Sequence, residues 1–281
     1  MSDWGLLSNS SYLAIAAILL IGVPHGGLDG AVARRVGWPS GPLPWIAFHL
    51  IYLLSAASVA GLWWLYPLPS LVFFLCISAL HFASSDIGHI SAPSSRDAWL
   101  PLLAHSGTVV IAIPVLQHSA VEPLFAALIG ADNSLWLLKQ IDLLILPWAI
   151  CVFAYAIYSI YQPRWRKSLL SLALLICLAY QLPPLVSFAL YFCLWHSRSH
   201  IQRIWQSIAP EQRRRSAIEA LIYSLAAYTA AAIYFLLQTN SGTAPALLQL
   251  TFIGLATLTV PHMLLVDFIH GHQAEKSRPA I

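Results

Sequence analysis

Residues 69–90 read Pro-Ser-Leu-Val-Phe-Phe-Leu-Cys-Ile-Ser-Ala-Leu-His-Phe-Ala-Ser-Ser-Asp-Ile-Gly-His-Ile. No formal charge appears before Asp86, and Pro67-Leu68-Pro69 marks the start of the run. A membrane-spanning helix needs about 20 mainly apolar residues, so this stretch alone predicts a span. The pattern recurs along the chain, near 6–28, 43–65, 69–90, 99–118, 141–161, 167–182, 184–205, 216–238 and 246–269. Between the runs lie turn signals: Gly37-Trp38-Pro39-Ser40-Gly41-Pro42, Ser91-Ala92-Pro93-Ser94, Gln162-Pro163, Pro183-Pro184 and Asn240-Ser241-Gly242. Span six is short, and the stretch from Glu122-Pro123 to Asp132 reads as a surface helix or part of a span.

Whole-chain composition agrees. Of 281 residues 59% are hydrophobic and 9% charged, against roughly 25% charged in soluble domains, and mean hydropathy is +0.73. The expected fold is all-α: a polytopic transmembrane helical bundle of about nine spans, forming one integral-membrane domain over residues 1–281. Disorder, a coiled coil and an ordinary cytosolic enzyme are excluded by the shortage of charge. A net charge of +3 from 14 basic and 11 acidic residues is too small for a nucleic-acid footprint. Cys76, Cys151, Cys177 and Cys193 sit in apolar runs without CxxC spacing and read as small buried hydrophobes. Met1-Ser2-Asp3-Trp4 carries no basic residue and no small-residue cleavage site follows, so the first run is expected to be a span and not a secretory leader.

Charge also predicts orientation, because cytoplasmic loops collect Lys and Arg. With nine spans, Arg34, Arg35, Arg96, Arg164, Arg166, Lys167, Arg198, Arg203, Arg213, Arg214, Arg215, Lys276 and Arg278 share one side, and only Lys139 lies on the other. The N-terminus is therefore expected outside and the C-terminus in the cytoplasm, in the cell (inner) membrane of a prokaryote. The run Arg213-Arg214-Arg215 anchors the topology at the headgroups.

Eleven histidines are many for such a chain, and ionisable groups within a membrane are costly and mark functional interiors. Spans one, three, seven and nine carry His25, His81, His196 with His200, and His262 in their inner halves. His196 and His200 are four apart, on one helix face with Cβ atoms about 6 Å apart, so both rings can reach one metal ion. Two separately hydrogen-bonded core histidines would show the same spacing, but His25 and His81 at matching depth favour a metal. All-imidazole sites suit Fe, Cu, Zn or Ni. Asp29, Asp86 and Asp267 follow His25, His81 and His262 by four or five residues, where a carboxylate can accept the second imidazole N–H or simply cap a helix end. Phe188, Tyr191, Phe192 and Trp195 lie on the helix bearing His196 and can line a tunnel, or pack as ordinary core. His49 and His105 read as neighbouring or solvated groups, and His89, His118, His270 and His272 as turn or tail residues.

Pro24-His25-Gly26-Gly27-Leu28-Asp29, His81-Phe82-x3-Asp86, Tyr191-Phe192-Cys193-Leu194-Trp195-His196-Ser197-Arg198-Ser199-His200 and Val260-Pro261-His262-Met263 together resemble the Brp/Blh family of prokaryotic membrane β-carotene 15,15′-dioxygenases. The resemblance runs from about residue 21 to 269 with the motifs in order. It implies Fe(2+)-dependent cleavage of β-carotene at its central double bond with O2, giving two molecules of retinal. It also implies iron ligands at His25, His81, His196 and His200, with His262 beside the metal or lining the pocket. Gly27 and Ala83 depart from the pattern, which leads one to expect Ala and Gly there. A polyene partitions into the bilayer, so β-carotene needs no aqueous route, and no feature identifies a protein partner.

A divalent-metal transporter with a histidine relay is the alternative, but the histidines cluster at one depth and no inverted repeat is visible. A retinal-binding receptor needs a Schiff-base lysine, whereas Lys139, Lys167 and Lys276 all lie at loops or ends. A di-iron desaturase would carry several HxxxH clusters where this chain has one. A haem protein would pair His on two helices.

Overall fold

The computed structural model describes residues 7–88, 90–91, 95–237 and 242–266, which are helical with no strand among them. Helices are α1 (Asn9–Arg35), α2 (Pro42–Leu65), α3 (Pro67–Ile87), α4 (Trp99–Leu116), α5 (His118–Ile129), α6 (Ala131–Tyr161), α7 (Arg166–Gln181), α8 (residues 184–207), α9 (Pro210–Leu237) and α10 (Thr243–Val266). Proline opens α2, α3, α8 and α9, where its missing N–H has no helical partner to lose. Gly41 at φ +118° precedes α2, and Gly130 at φ +86° separates α5 from α6; only glycine takes such angles without strain.

Seven of these helices, α1, α2, α3, α4, α6, α9 and α10, are long and apolar enough to cross a membrane. Bulky apolar side chains face outward along them, with Leu13, Trp64, Phe153 and Leu236 each more than two-thirds exposed. Water would penalise such a surface; lipid accepts it. Helix α7 has 16 residues, about 24 Å at 1.5 Å per residue, short of the roughly 30 Å hydrocarbon core. Helix α6 starts at Ala131, ten residues before the sequence-predicted boundary at 141, because Asp132, Lys139 and Asp142 interrupt hydropathy without interrupting the backbone ladder. Its 31 residues run about 46 Å, enough to carry that polar first part beyond the hydrocarbon. The stretch 122–132 resolves into α5 and the start of α6.

The described residues divide into two compact units, one formed by those up to Ile15 with those of Leu68–His196, the other by those of Ala16–Pro67 with those from Ser197 onward. In the first unit Ile87, Ala98, Ala104, Tyr155, Trp165 and Leu172 make a core. Trp148 Nε1 donates to Ala104 O at 2.8 Å, and Gly107 leaves room for that indole: a Cβ there would lie 2.2 Å from Trp148 Nε1. In the second unit α10 packs along α2, and α9 lies against residues 23–28 of α1. Gly27 permits this approach, since a Cβ on it would meet Ala220 O at 2.9 Å and Ala220 Cα at 3.0 Å. Small residues let helix backbones come this close in membranes.

Among the described residues four helices change pitch. A π turn occupies Ile18–Gly22 in α1, Thr108–Ala112 in α4 and Tyr191–Ser197 in α8, α10 takes the same pitch at residues 264–266, and each lies within three residues of a buried histidine (His25, His105, His196 and His262). Single π turns inside α-helices are rare and concentrate at functional sites.

Candidate functional site

In the first unit the π turn of α8 sets the geometry. Five residues advance an α-helix by about 140° of rotation but a π-helix by only about 50°. Tyr191 and His196 are thereby brought to one side, where α3 meets both. The His196 and His81 rings stand 4.8 Å apart, and the Tyr191 hydroxyl donates to Asp86 Oδ2 at 3.1 Å. Phe82 fits between them, its ring 4.8 Å from His196 and 5.3 Å from Tyr191. Phe188 stacks on Phe192 at 5.5 Å, and Phe192 on His196 at 5.9 Å, both nearly parallel. A column of flat rings therefore ends on an imidazole. Trp195, on the same helix, is half-buried.

Asp86 has a further partner. His105 Nδ1 donates to Asp86 Oδ2 at 3.2 Å, and Ser168 Oγ lies 2.9 Å from His105 Nε2. Half-buried Asp86 thus ties α3 to α4 and α8, and through His105 to α7. It stands five residues beyond His81, about 140° around the helix, so its carboxylate turns to neighbouring helices.

In the second unit the π turn followed by the tighter turn Val23–Leu28 releases carbonyls to side chains: Leu19 O accepts from the Tyr228 hydroxyl at 3.0 Å, and Gly22 O from His25 Nδ1 at 2.5 Å. Ser197 Oγ stands 3.3 Å from the same nitrogen. The rings of His25, His200 and His262 form a triangle with sides of 5.5, 5.1 and 4.9 Å, all edge-to-face. Asp29, spaced to serve His25 in the sequence, accepts from His262 Nδ1 at 2.7 Å and from the Tyr52 hydroxyl at 2.9 Å. Asp267, expected near His262, lies outside the described residues, as do His89, His270 and His272. The remaining histidines have local partners: His49 bonds Trp45 O and Tyr223 Oη, and half-exposed His118 stands 3.5 Å from Asp142.

Ring spacing tests whether these imidazoles suit a metal. Metal–N bonds of about 2.1 Å put ligand ring centroids about 3.2 Å from the ion, so two ligands 90–110° apart have centroids about 4.6–5.3 Å from each other. The observed pairs at 4.8, 4.9 and 5.1 Å fall in this range and the fourth, at 5.5 Å, just beyond it. Donor type fits too: His25 and His262 each give Nδ1–H to an oxygen, which makes Nε2 the lone-pair nitrogen. As the rings stand, no three His, Cys, Asp or Glu side chains among the described residues have donors converged to hold an ion. Fit therefore lies in donor chemistry, since the spacings are also those of ordinary edge-to-face ring contact, Phe82 with His196 included.

Long apolar helices with outward-facing apolar side chains, holding buried imidazoles tied to carboxylates, define a multi-pass membrane protein with an ionisable interior. A family profile described as Beta-carotene 15,15'-dioxygenase matches residues 16–270, and this chain belongs to that family. It is 36% identical over 268 residues to the Beta-carotene 15,15'-dioxygenase of uncultured marine bacterium 66A03, covering 92% of this chain and 93% of that protein. It is 25% identical over 289 residues to the Probable beta-carotene 15,15'-dioxygenase Blh of Halobacterium salinarum, covering 91% and 83%. No solved structure matches the chain.

Two features escaped sequence reading: the Asp86–His105–Ser168 chain and the service of Asp29 to His262. Pro24 and Gly26-Gly27 lie in the irregular turn of α1, but nothing local signals a partner 233 residues away.

Proposed function

We infer that this protein cleaves β-carotene at its central 15,15′ double bond with O2, giving two molecules of retinal. Carrying this reading is the family match over residues 16–270, with 36% identity to a relative bearing that activity as its name. Iron held by His25, His81, His196 and His200 is the proposed cofactor, supported by the resemblance of their motifs and by the donor chemistry of the imidazoles. Bound Fe(2+) would supply activation of O2 for oxidative scission of the double bond.

The chain's own residues supply orientation and dryness. His81 and His196 are 3% and 1% exposed, which excludes bulk water from their rings. Phe188 and Phe192 stack in line with His196, an apolar aromatic wall beside that imidazole, suited to a conjugated hydrocarbon. No carboxylate pair for acid–base work is required, and Asp29 and Asp86 are engaged by histidine and tyrosine.

Expression in β-carotene-accumulating cells tests the reading: the orange colour should fade as retinal appears by chromatography. Persistent colour with folded protein present and no retinal would refute it. We further propose nine spans with the N-terminus outside, a single domain over 1–281, and residence in the inner membrane of a prokaryote. The one-sided distribution of Lys and Arg supports that topology, and labelling of a Lys139→Cys chain by an impermeant thiol reagent on whole cells checks it.

A further inference from the structure

His262 lies outside the four imidazoles proposed to hold iron, yet it is built as a ligand is built. It is 3% exposed, and its ring stands 4.9 Å from His200 and 5.1 Å from His25. His25 and His200 stand 5.5 Å apart, so the three imidazoles form one contact cluster. Behind it, Asp29 is 2% exposed and takes His262 Nδ1–H on Oδ1 and the Tyr52 hydroxyl on Oδ2. Burying a carboxylate is costly unless it is well paired. A mere tie between α1 and α10 could use neutral groups. A carboxylate behind an imidazole does something a neutral tie does not: it fixes the tautomer and raises the basicity of the far nitrogen, the usual arrangement behind metal-bound histidine.

We propose that His262 is a further imidazole ligand of the metal, on the face formed with His25 and His200, and that Asp29 and Tyr52 hold it in the Nδ1–H tautomer. This rests on the reading of the protein as a metal-dependent dioxygenase. It requires the three rings to turn from their edge-to-face arrangement so that their Nε2 atoms converge on the ion.

The test uses the full-length chain purified in detergent, with Co(II) as the probe and its visible absorption as the readout. His262→Gly should bind Co(II) about 10- to 100-fold more weakly with an altered spectrum, and millimolar free imidazole should restore both by occupying the vacated space. His262→Gln, which keeps bulk and can still bond Asp29, should show the same weakening and altered spectrum. Asp29→Asn should weaken binding about tenfold, and His118→Ala, far from these rings in sequence and half-exposed, should leave the spectrum unchanged. A His262→Gly chain that elutes as the parent does and keeps its affinity and spectrum overturns the proposal. So does a loss that imidazole fails to restore. A parent chain that binds no Co(II) and makes no retinal overturns the underlying reading, whereas a parent that does both beside an unaltered His262→Gly overturns this inference alone.

Discussion

Gly27→Ala is the sharpest test of how α1 is held, because the family pattern leads one to expect alanine at this position while the structure has no room for it. The added Cβ would stand 2.9 Å from Ala220 O, 3.0 Å from Ala220 Cα and 3.2 Å from Ala220 Cβ. Comfortable contact between carbon atoms is about 3.5–4.0 Å, so the turn 23–28 must move from α9 by about half an ångström or more. Two of the three obstructing atoms are backbone, which cannot rotate away. Overpacking of this kind costs about 1–3 kcal/mol, and alanine returns about 0.5–1 kcal/mol over glycine in helical backbone. A net loss of about 1–2 kcal/mol is expected, a fall in melting temperature of several degrees for a chain of this size, read by thermal unfolding in detergent. Ala220→Gly in the same chain removes only the contact at 3.2 Å, so rescue should be partial. His25 lies two residues away, and retinal formation should fall with stability. A Gly27→Ala chain as stable as the parent, or one fully rescued by Ala220→Gly, would refute the reasoning.

Asp86→Asn removes the charged acceptor shared by Tyr191 and His105, and should cost about 1–3 kcal/mol of stability and slow retinal formation by about tenfold. Tyr191→Phe deletes one of those bonds and should cost about 1 kcal/mol, both read by thermal unfolding beside product assay. His81→Ala and His196→Ala should each abolish retinal formation and lower iron content measured on purified protein, while elution on gel filtration stays that of the parent. On the loop before α4, the Ser95 and Ser91 hydroxyls and the Arg164 guanidinium hold Asp97 below the usual carboxylate range. A lowered folded value stabilises the ionised form, so the contribution is present above the unfolded value of about 3.9 and fades as pH falls through the lower folded one. Acid unfolding curves of the parent and Asp97→Asn should therefore diverge above about pH 4 and merge below it, by under about 1 kcal/mol given the exposure of the pair.

Much of this architecture is legible along the chain because membrane insertion is a sum. Each apolar residue adds its own transfer free energy, and a helix satisfies its backbone within the segment, so 69–90 predicts a span without knowledge of its neighbours. Boundaries were less legible where polarity and helicity part company, as at Asp132, Lys139 and Asp142 in α6. The histidines stand out along the apolar runs as candidates, but which rings meet, His81 with His196 and His25 with His200 and His262, was not legible there.

Partner choice was another matter. Asp29 follows His25 by four residues and bonds His262; Asp86 follows His81 by five and bonds His105 and Tyr191. A hydrogen bond of 2.7 Å requires two faces to meet, and which faces meet depends on helix packing and pitch rather than on spacing in one segment. The π turn over Tyr191–Ser197, which no composition rule announces, swings Tyr191 and His196 to one side. By itself the sequence determined that the chain forms apolar helices long enough to cross a membrane and bearing imidazoles within them, since transfer free energy is local and additive. Only the tertiary structure decided which carboxylate holds which imidazole, because that depends on the contact of surfaces far apart along the chain.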